Sequence, residues 1–294
     1  MCSTFYVKGS TDWQIWNKPT NAKIVSVVVI GGGAGGGSGQ AGIASNTRIG
    51  GGGGGSAGIT SFLIPANYLP DTLYVQPGKG GDGGSAGTGT NGSIGSISYI
   101  SLEPNTTAIN IIAQSGSTSP GGGNSGANSG TAGTLGGSWS ASGSIIWTVG
   151  NISTQAGQAG ITGSTGTTGV NFVVSRLTSG GAGGAGSTAT QFNGGNITGS
   201  GFVPTITGGI GNVSGPAGAG CAGFSSFNGS VSQPIRQALF FTGGAGGGSA
   251  PSNTGGAGGA GAFGSGGGGG GAGVTAQAGA GGRGGDGLVI ITCF

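Results

Sequence analysis

The sequence predicts an all-β fold with a polyglycine II helix bundle, short β-strands at both chain ends, and little or no α-helix. Three observations predict it. Glycine supplies 82 of the 294 residues, roughly four times the ~7% of ordinary proteins. The glycines gather in runs near 31–39, 50–58, 78–95, 116–137, 156–169, 179–201, 208–223 and 243–287, separated by short apolar segments. The longest run keeps glycine at every third position, at 255, 258, 261, 264, 267, 270, 273, 279, 282 and 285, and only Ala276 breaks the register.

Taken along the chain, the reading is one glycine-rich domain over 1–294. Residues 1–30 form an N-terminal strand and attachment segment, 31–287 form glycine-rich arms with interrupting loops, and 288–294 form a closing strand. The strand assignments rest on β-branched, short apolar runs: 24–30, 72–75, 97–100, 170–174 and 288–292. No stretch carries helical periodicity. A strand followed by glycine repeats weakly, Val29-Ile30 before 31–38 being echoed by Phe240-Phe241-Thr242 before 243–249, with a further echo at 178–186. Such units are stable only when stacked on neighbours.

The glycine arms need a conformation that turns missing side chains to advantage, because glycine loses more backbone entropy on folding than any other residue. The extended threefold helix with about 3.1 Å rise is one. Laterally packed, its main chains approach closely enough for N–H···O bonds supplemented by Cα–H···O contacts. Collagen shares the period of three but needs abundant proline, and Pro251 is the only proline after residue 234. A straight arm over the whole last run would reach about 105 Å at that rise, so turns are expected near Asn253, Ser265 and Gln277.

Composition also removes function classes. Histidine is absent, and five acids against eight Lys and Arg leave a net charge of +3. The commonest proton shuttle and metal ligand is therefore missing, and Asp12, Asp71, Asp82, Glu103 and Asp286 show no pairing suited to glycan cleavage. No enzyme activity, cofactor or metal is expected. The scattered cations build no phosphate-neutralising stripe, so nucleic acid is not an expected partner. No apolar run approaches about 18 residues and the N-terminus lacks a secretory pattern, which predicts no membrane insertion and a chain made in the cytosol and soluble there.

Several motifs have bland readings. Gly31, Gly33 and Gly36 fit GxGxxG, but polyglycine satisfies any glycine pattern and no helix follows. Residues 281–289 fit a calcium nonapeptide once, without the adjacent copies such a site needs, so Asp286 is read as a turn residue, as is Asp82. The Asn151 and Asn196 sequons follow from Asn, Ser and Thr richness. Cys2, Cys221 and Cys293 have neither CxxC spacing nor even number, and are read as unpaired thiols; Cys2 and Cys293 would approach one another if the chain ends pair as strands.

The aromatics are the candidate contact residues. Trp13 and Trp16 precede the first long strand and suit packing or docking to a partner. Trp139, Trp147, Phe172, Phe192, Phe202, Phe224 and Phe227 fall between glycine runs. On loops at arm ends they would present a surface for sugar faces or protein pockets; the alternative is a set of small hydrophobic clusters.

Residues 16–23 running into 24–39, then 50–58, Phe62-Leu63-Ile64-Pro65 and 71–78, with the close over 281–292, resemble the glycine-rich domain of bacteriophage tail-fibre and other virion proteins. The resemblance implies a non-enzymatic virion component, assembled in the host cytoplasm, a tail-fibre or spike part contacting other virion proteins. It also implies a host surface glycan or outer-membrane protein as receptor and, by analogy with virion fibres, a homotrimer. A structural head-fibre, decoration or tail protein without a receptor is the alternative, and an ice-binding polyglycine bundle a further one.

Overall fold

The structure is a computed structural model and describes residues 2–7, 13–43, 46–87, 89–107, 110–117, 121–122, 139–140, 151–199, 203–226, 239–274 and 277–294. It is nearly all β. Its strands are β1 (Cys2–Val7), β2 (Gln14–Asn17), β3 (Ile24–Ile30), β4 (Ala41–Gly42), β5 (Ile59–Pro65), β6 (Thr72–Gln76), β7 (Ser98–Ser101), β8 (Asn110–Gln114), β9 (Trp139–Ser140), β10 (Asn151–Gln155), β11 (Phe172–Val173), β12 (Ile197–Thr198), β13 (Gly273–Val274) and β14 (Leu288–Cys293). The helical content among the described residues is one 3-10 turn, Ala66–Tyr68. No described helix is long and apolar enough to cross a membrane.

Two antiparallel five-stranded sheets, in the orders β1-β14-β3-β5-β10 and β2-β6-β7-β8-β9, share one hydrophobic cluster. Period-two alternation builds it: Val25, Val27 and Val29 of β3, Phe62 and Ile64 of β5, and Val289, Ile291 and Cys293 of β14 come from the first sheet. Trp16, Leu73, Val75, Ile100 and Ile112 come from the second. The opposite face of the first sheet carries Phe5, Ile30, Ile59, Leu288 and Ile290 against Phe241. Covered on both faces, β14 is buried at all six positions, where the burial of β3 alternates over its first five. The strands are not confined to the chain ends, since β5 to β8 and β10 interrupt the glycine region, and the sandwich is a conventional core beside the glycine arms.

Between the strands run extended arms whose main-chain hydrogen bonds repeat every three residues. In 31–40, the N–H groups of Ala34, Gly37 and Gln40 donate to Gly55, Gly52 and Ile49. Those of Gly32, Gly35 and Ser38 donate to Ser96, Ser93 and Thr90, and those of Gly33, Gly36 and Gly39 to Gly285, Gly282 and Gly279. The carbonyls rotate likewise: Gly33 and Gly36 accept from Gly81 and Gly84, Gly32 and Gly35 from Ser117 and Gly121, and Ala34, Gly37 and Gln40 from Gly267, Gly270 and Gly273. One arm is thereby bonded to six separate segments.

The separation of arms is set by the absence of side chains. A Cβ on Gly36 would lie 2.1 Å from the Gly268 carbonyl oxygen, and one on Gly267 would lie 2.0 Å from that of Gly282. The last run folds back where sequence spacing places turns: bends at 251–253, a turn at 263–264 closed by Ser265 N–H donating to Ala262, and Gln277 N–H donating to Val274. Gly264 has φ 66°, a conformation that side-chain-bearing residues rarely adopt.

One cation is sealed among the arms. Arg48 is 1% exposed. Its Nη2 donates to Ser187 Oγ (3.2 Å) and to the carbonyls of Thr188 (3.1 Å) and Pro251 (3.0 Å), and its Nε to Asn46 (3.3 Å). Burial pulls its pKa below the ordinary arginine value.

Candidate functional site

Every third residue of an arm faces the same way, so an arm at the edge of the bundle exposes one row of side chains. Hydrogen bonds order such edge arms. Gly218 and Cys221 donate to Ile210 and Thr207; Ala217, Gly220 and Gly223 donate to Thr254, Ala257 and Ala260; Gly255, Gly258 and Gly261 donate to Gln277, Ala280 and Arg283. Gly281 and Gly284 then donate to Gly84 and Gly81, and Ser93 and Ser96 to Asp82 and Lys79.

The outward rows follow from this order. Thr207, Ile210 and Val213 are exposed on the first arm, with Ile210 at 71%, and Pro216, Ala219 and Ala222 on the second. Ala260, Arg283 with Gln277, Lys79 with Asp82 and Ser85, and Asn91 with Ile94 and Ile97 continue the series. The first three rows are small or apolar; the next two are charged. Arg283 links them, its Nη2 donating to Asp286 Oδ1 at 2.5 Å and its Nε lying 3.8 Å from Asp82 Oδ1, while Lys79 Nζ lies 3.5 Å from Asp82 Oδ2. Asp286 Oδ1 also accepts the Gly80 N–H at 2.7 Å. Asp286 thus ties the final arm to its neighbour, and Asp82 belongs to the same ionic chain.

Clefts flank these rows. One of about 290 Å³ is lined by Ser225, Phe263, Arg283 and Asp286. Another, of about 620 Å³, lies beside the sandwich between Asn17, Lys18, Pro19, Asn67 and Asp71. Lys18 Nζ donates to the Leu69 (2.7 Å) and Ala66 (3.2 Å) carbonyls and pairs with Asp71 Oδ1 at 3.1 Å. Spacing alone could not find these clefts, because residues distant in sequence line them. The outward rows did carry a signal: non-glycine residues three apart, as at 207, 210 and 213.

The aromatic candidates scatter. Trp16 is 3% exposed and packs in the sandwich core, so packing, rather than docking, describes it. Trp13 is half-buried, its ring 6.1 Å from that of Tyr99 at an interplanar angle of 35°. Burial raises the Tyr99 pKa. Phe172, expected among the contact residues, is 3% exposed in a cluster with Val174, Ala182 and Ile197, because the alternation of β11 turns it inward and its neighbour Val173 outward. Phe192 and Phe224 are half-buried and sit at opposite ends of one arm, tied to Ser249 and to Thr242 respectively. The structure does not bring these two together. Trp139 lies in β9 opposite Gln114; Trp147, Phe202 and Phe227 lie outside the described residues.

The glycine motif has no amide left for an anion. The N–H groups of Gly31, Gly33 and Gly36 donate to Gly58, Gly285 and Gly282. Among the described residues, no group of three or more His, Cys, Asp or Glu side chains is placed to hold a metal ion. Compared with known proteins, the chain matches no family model and no curated sequence.

Proposed function

We propose that the glycine arms form a polyglycine II-type bundle, and that this bundle makes the chain a non-enzymatic structural component of a phage virion, a tail-fibre or spike part. The observation that supports it is the rotation of main-chain hydrogen bonds around 31–40, three rows of donors and three rows of acceptors directed at six segments, with glycine where a Cβ would strike a carbonyl. Threefold chains packed side by side have that pattern. A body held by backbone groups in this way offers a stiff scaffold, and its outward rows and loops supply the surface for other virion proteins or a host receptor.

A second reading, a purely structural virion part without receptor contact, is favoured by the burial of Phe172 and the wide separation of Phe192 and Phe224. Immunogold labelling of particles carrying this chain, paired with adsorption assays in which purified full chain competes, tests both. Label on a fibre together with blocked infection supports the first reading. Labelled particles that adsorb unhindered support the second, and particles without label refute the virion assignment.

A further inference from the structure

The two ends of the chain meet in one ladder. β1 and β14 pair antiparallel with Cys2 opposite Cys293, Ser3 opposite Thr292 and Thr4 opposite Ile291. The pairing is tight at this end: on the next rung Ser3 Oγ and Thr292 Oγ1 lie 3.1 Å apart. Beyond Cys293 the chain stays anchored, Phe294 N–H donating to Ile24 at 2.9 Å and its carbonyl accepting from Lys23 at 2.7 Å. Directly opposite residues of an antiparallel ladder have Cα atoms about 4.5–5.5 Å apart. That interval lies inside the range of about 4.4–6.8 Å that a disulfide spans without backbone movement. In sequence the two cysteines are almost the length of the chain apart, and only the fold makes them neighbours.

We propose that Cys2 and Cys293 are a disulfide-forming pair that staples the N-terminal edge strand to the C-terminal strand under oxidising conditions. The oxidant is a low-molecular-weight disulfide. One cysteine thiolate attacks it, forming a mixed disulfide and releasing one small thiol. The second cysteine thiolate then attacks the mixed disulfide at the first cysteine's sulfur, forming the Sγ–Sγ bond and expelling the second small thiol. The two protons of the cysteine thiols end on the two released thiols, and the electron pair ends in the cleaved oxidant. In the reducing cytosol the pair stays as thiols; outside the cell the staple closes and keeps edge strand β1 from peeling off β14.

The test uses the full chain treated with oxidised glutathione, then alkylated, unfolded and digested with trypsin without reductant. Cleavage after Lys8 and Arg283 puts Cys2 in peptide 1–8 and Cys293 in peptide 284–294, while Cys221 falls in a third peptide. The expected product is one linked species of the first two peptides, lighter by two hydrogens than their sum, with Cys221 alkylated. It should form equally in a Cys221→Ser chain and be absent from Cys2→Ser. Peptides recovered singly, carrying only glutathione or the alkylating group, would overturn the proposal, as would a link from either end to Cys221.

Discussion

Replacing Gly268 by alanine tests the backbone-core argument directly. A Cβ there would lie 2.1 Å from the Ala245 carbonyl oxygen, whereas ordinary contact begins at 3.4 Å. The two arms must part by roughly 1.3 Å, which takes a hydrogen bond of 2.9 Å to about 4 Å, beyond bonding distance. Two bonds join these arms on either side of the contact, Gly244 N–H to Gly266 at 3.0 Å and Gly247 N–H to Gly269 at 2.9 Å. Each buried group left unsatisfied costs about 1–3 kcal/mol. The loss of unfolded-chain freedom on going from glycine to alanine returns only about 0.4–1 kcal/mol. Partial relaxation leaves a net destabilisation of about 3 kcal/mol, or a midpoint lowered by roughly 6–12 °C at about 2–4 °C per kcal/mol. Gly42→Ala is the matched control, since its Cβ would meet only the Arg48 side-chain stem at 3.4 Å; it should stay within about 0.5 kcal/mol of the parent. Thermal and urea unfolding of the two variants followed by circular dichroism gives the comparison. Equal midpoints for Gly268→Ala and Gly42→Ala would refute the claim that close backbone approach holds the arms.

Arg48→Met removes the donor to the Pro251 carbonyl and one of the two donors to the Thr188 carbonyl, which Ser187 Oγ also meets, and should cost about 1–3 kcal/mol in urea unfolding; an unchanged midpoint would mean the Pro251 carbonyl finds another partner. Tyr6, whose hydroxyl donates to the Ile15 carbonyl at 3.1 Å, has its pKa pushed up to about 12, by burial first and by the charge of Cys293 second. The unfolded tyrosine ionises near pH 10 while the folded one stays neutral, so stability should fall between pH 10 and about 12, and Tyr6→Phe should flatten that slope in denaturation midpoints taken at successive pH values. Asp71→Asn should shift stability by less than about 0.5 kcal/mol, because the Asp71 side chain is 93% exposed. Lys18→Met, which strips the Ala66 and Leu69 carbonyls of a donor, should cost more, about 1–2 kcal/mol; the reverse order would show that the ion pair dominates. The homotrimer implied by the likeness to virion fibres predicts the mass of three copies when the full chain is sedimented, and a monomer at all concentrations would refute that analogy.

The parts of the fold that were legible are those where one residue type dominates. The β-branched run Ile24–Ile30 is a strand over the bounds expected of it, and β14 and β6 each extend one residue further. The glycine period and the turns near Asn253, Ser265 and Gln277 reappear in the register of the last arms. The sandwich as a whole was not legible, because its other strands are mixed in character: Cys2–Val7 and Asn110–Gln114 combine polar and apolar residues without alternation, and their pairing depends on partners far along the chain. For Trp16 and Phe172 the sequence left two readings open, packing or a contact surface, and both residues pack, Trp16 in the sandwich and Phe172 in a small cluster. Nothing near Arg48 marks it as a buried cation, since Ser187 and Pro251 reach it only through the stacking of arms.

The rotation of partners around 31–40 has a consequence for how such a chain can change length. Deleting one residue inside an arm would spin everything beyond it by about 120°, so each amide would aim at a stranger and the alanines would swing toward carbonyls. Three-residue gains or losses keep every later position facing its old companion. The arms are therefore written in triplets, and lineages of this protein should vary there by threes, leaving single-residue drift to the bends that join one arm to the next.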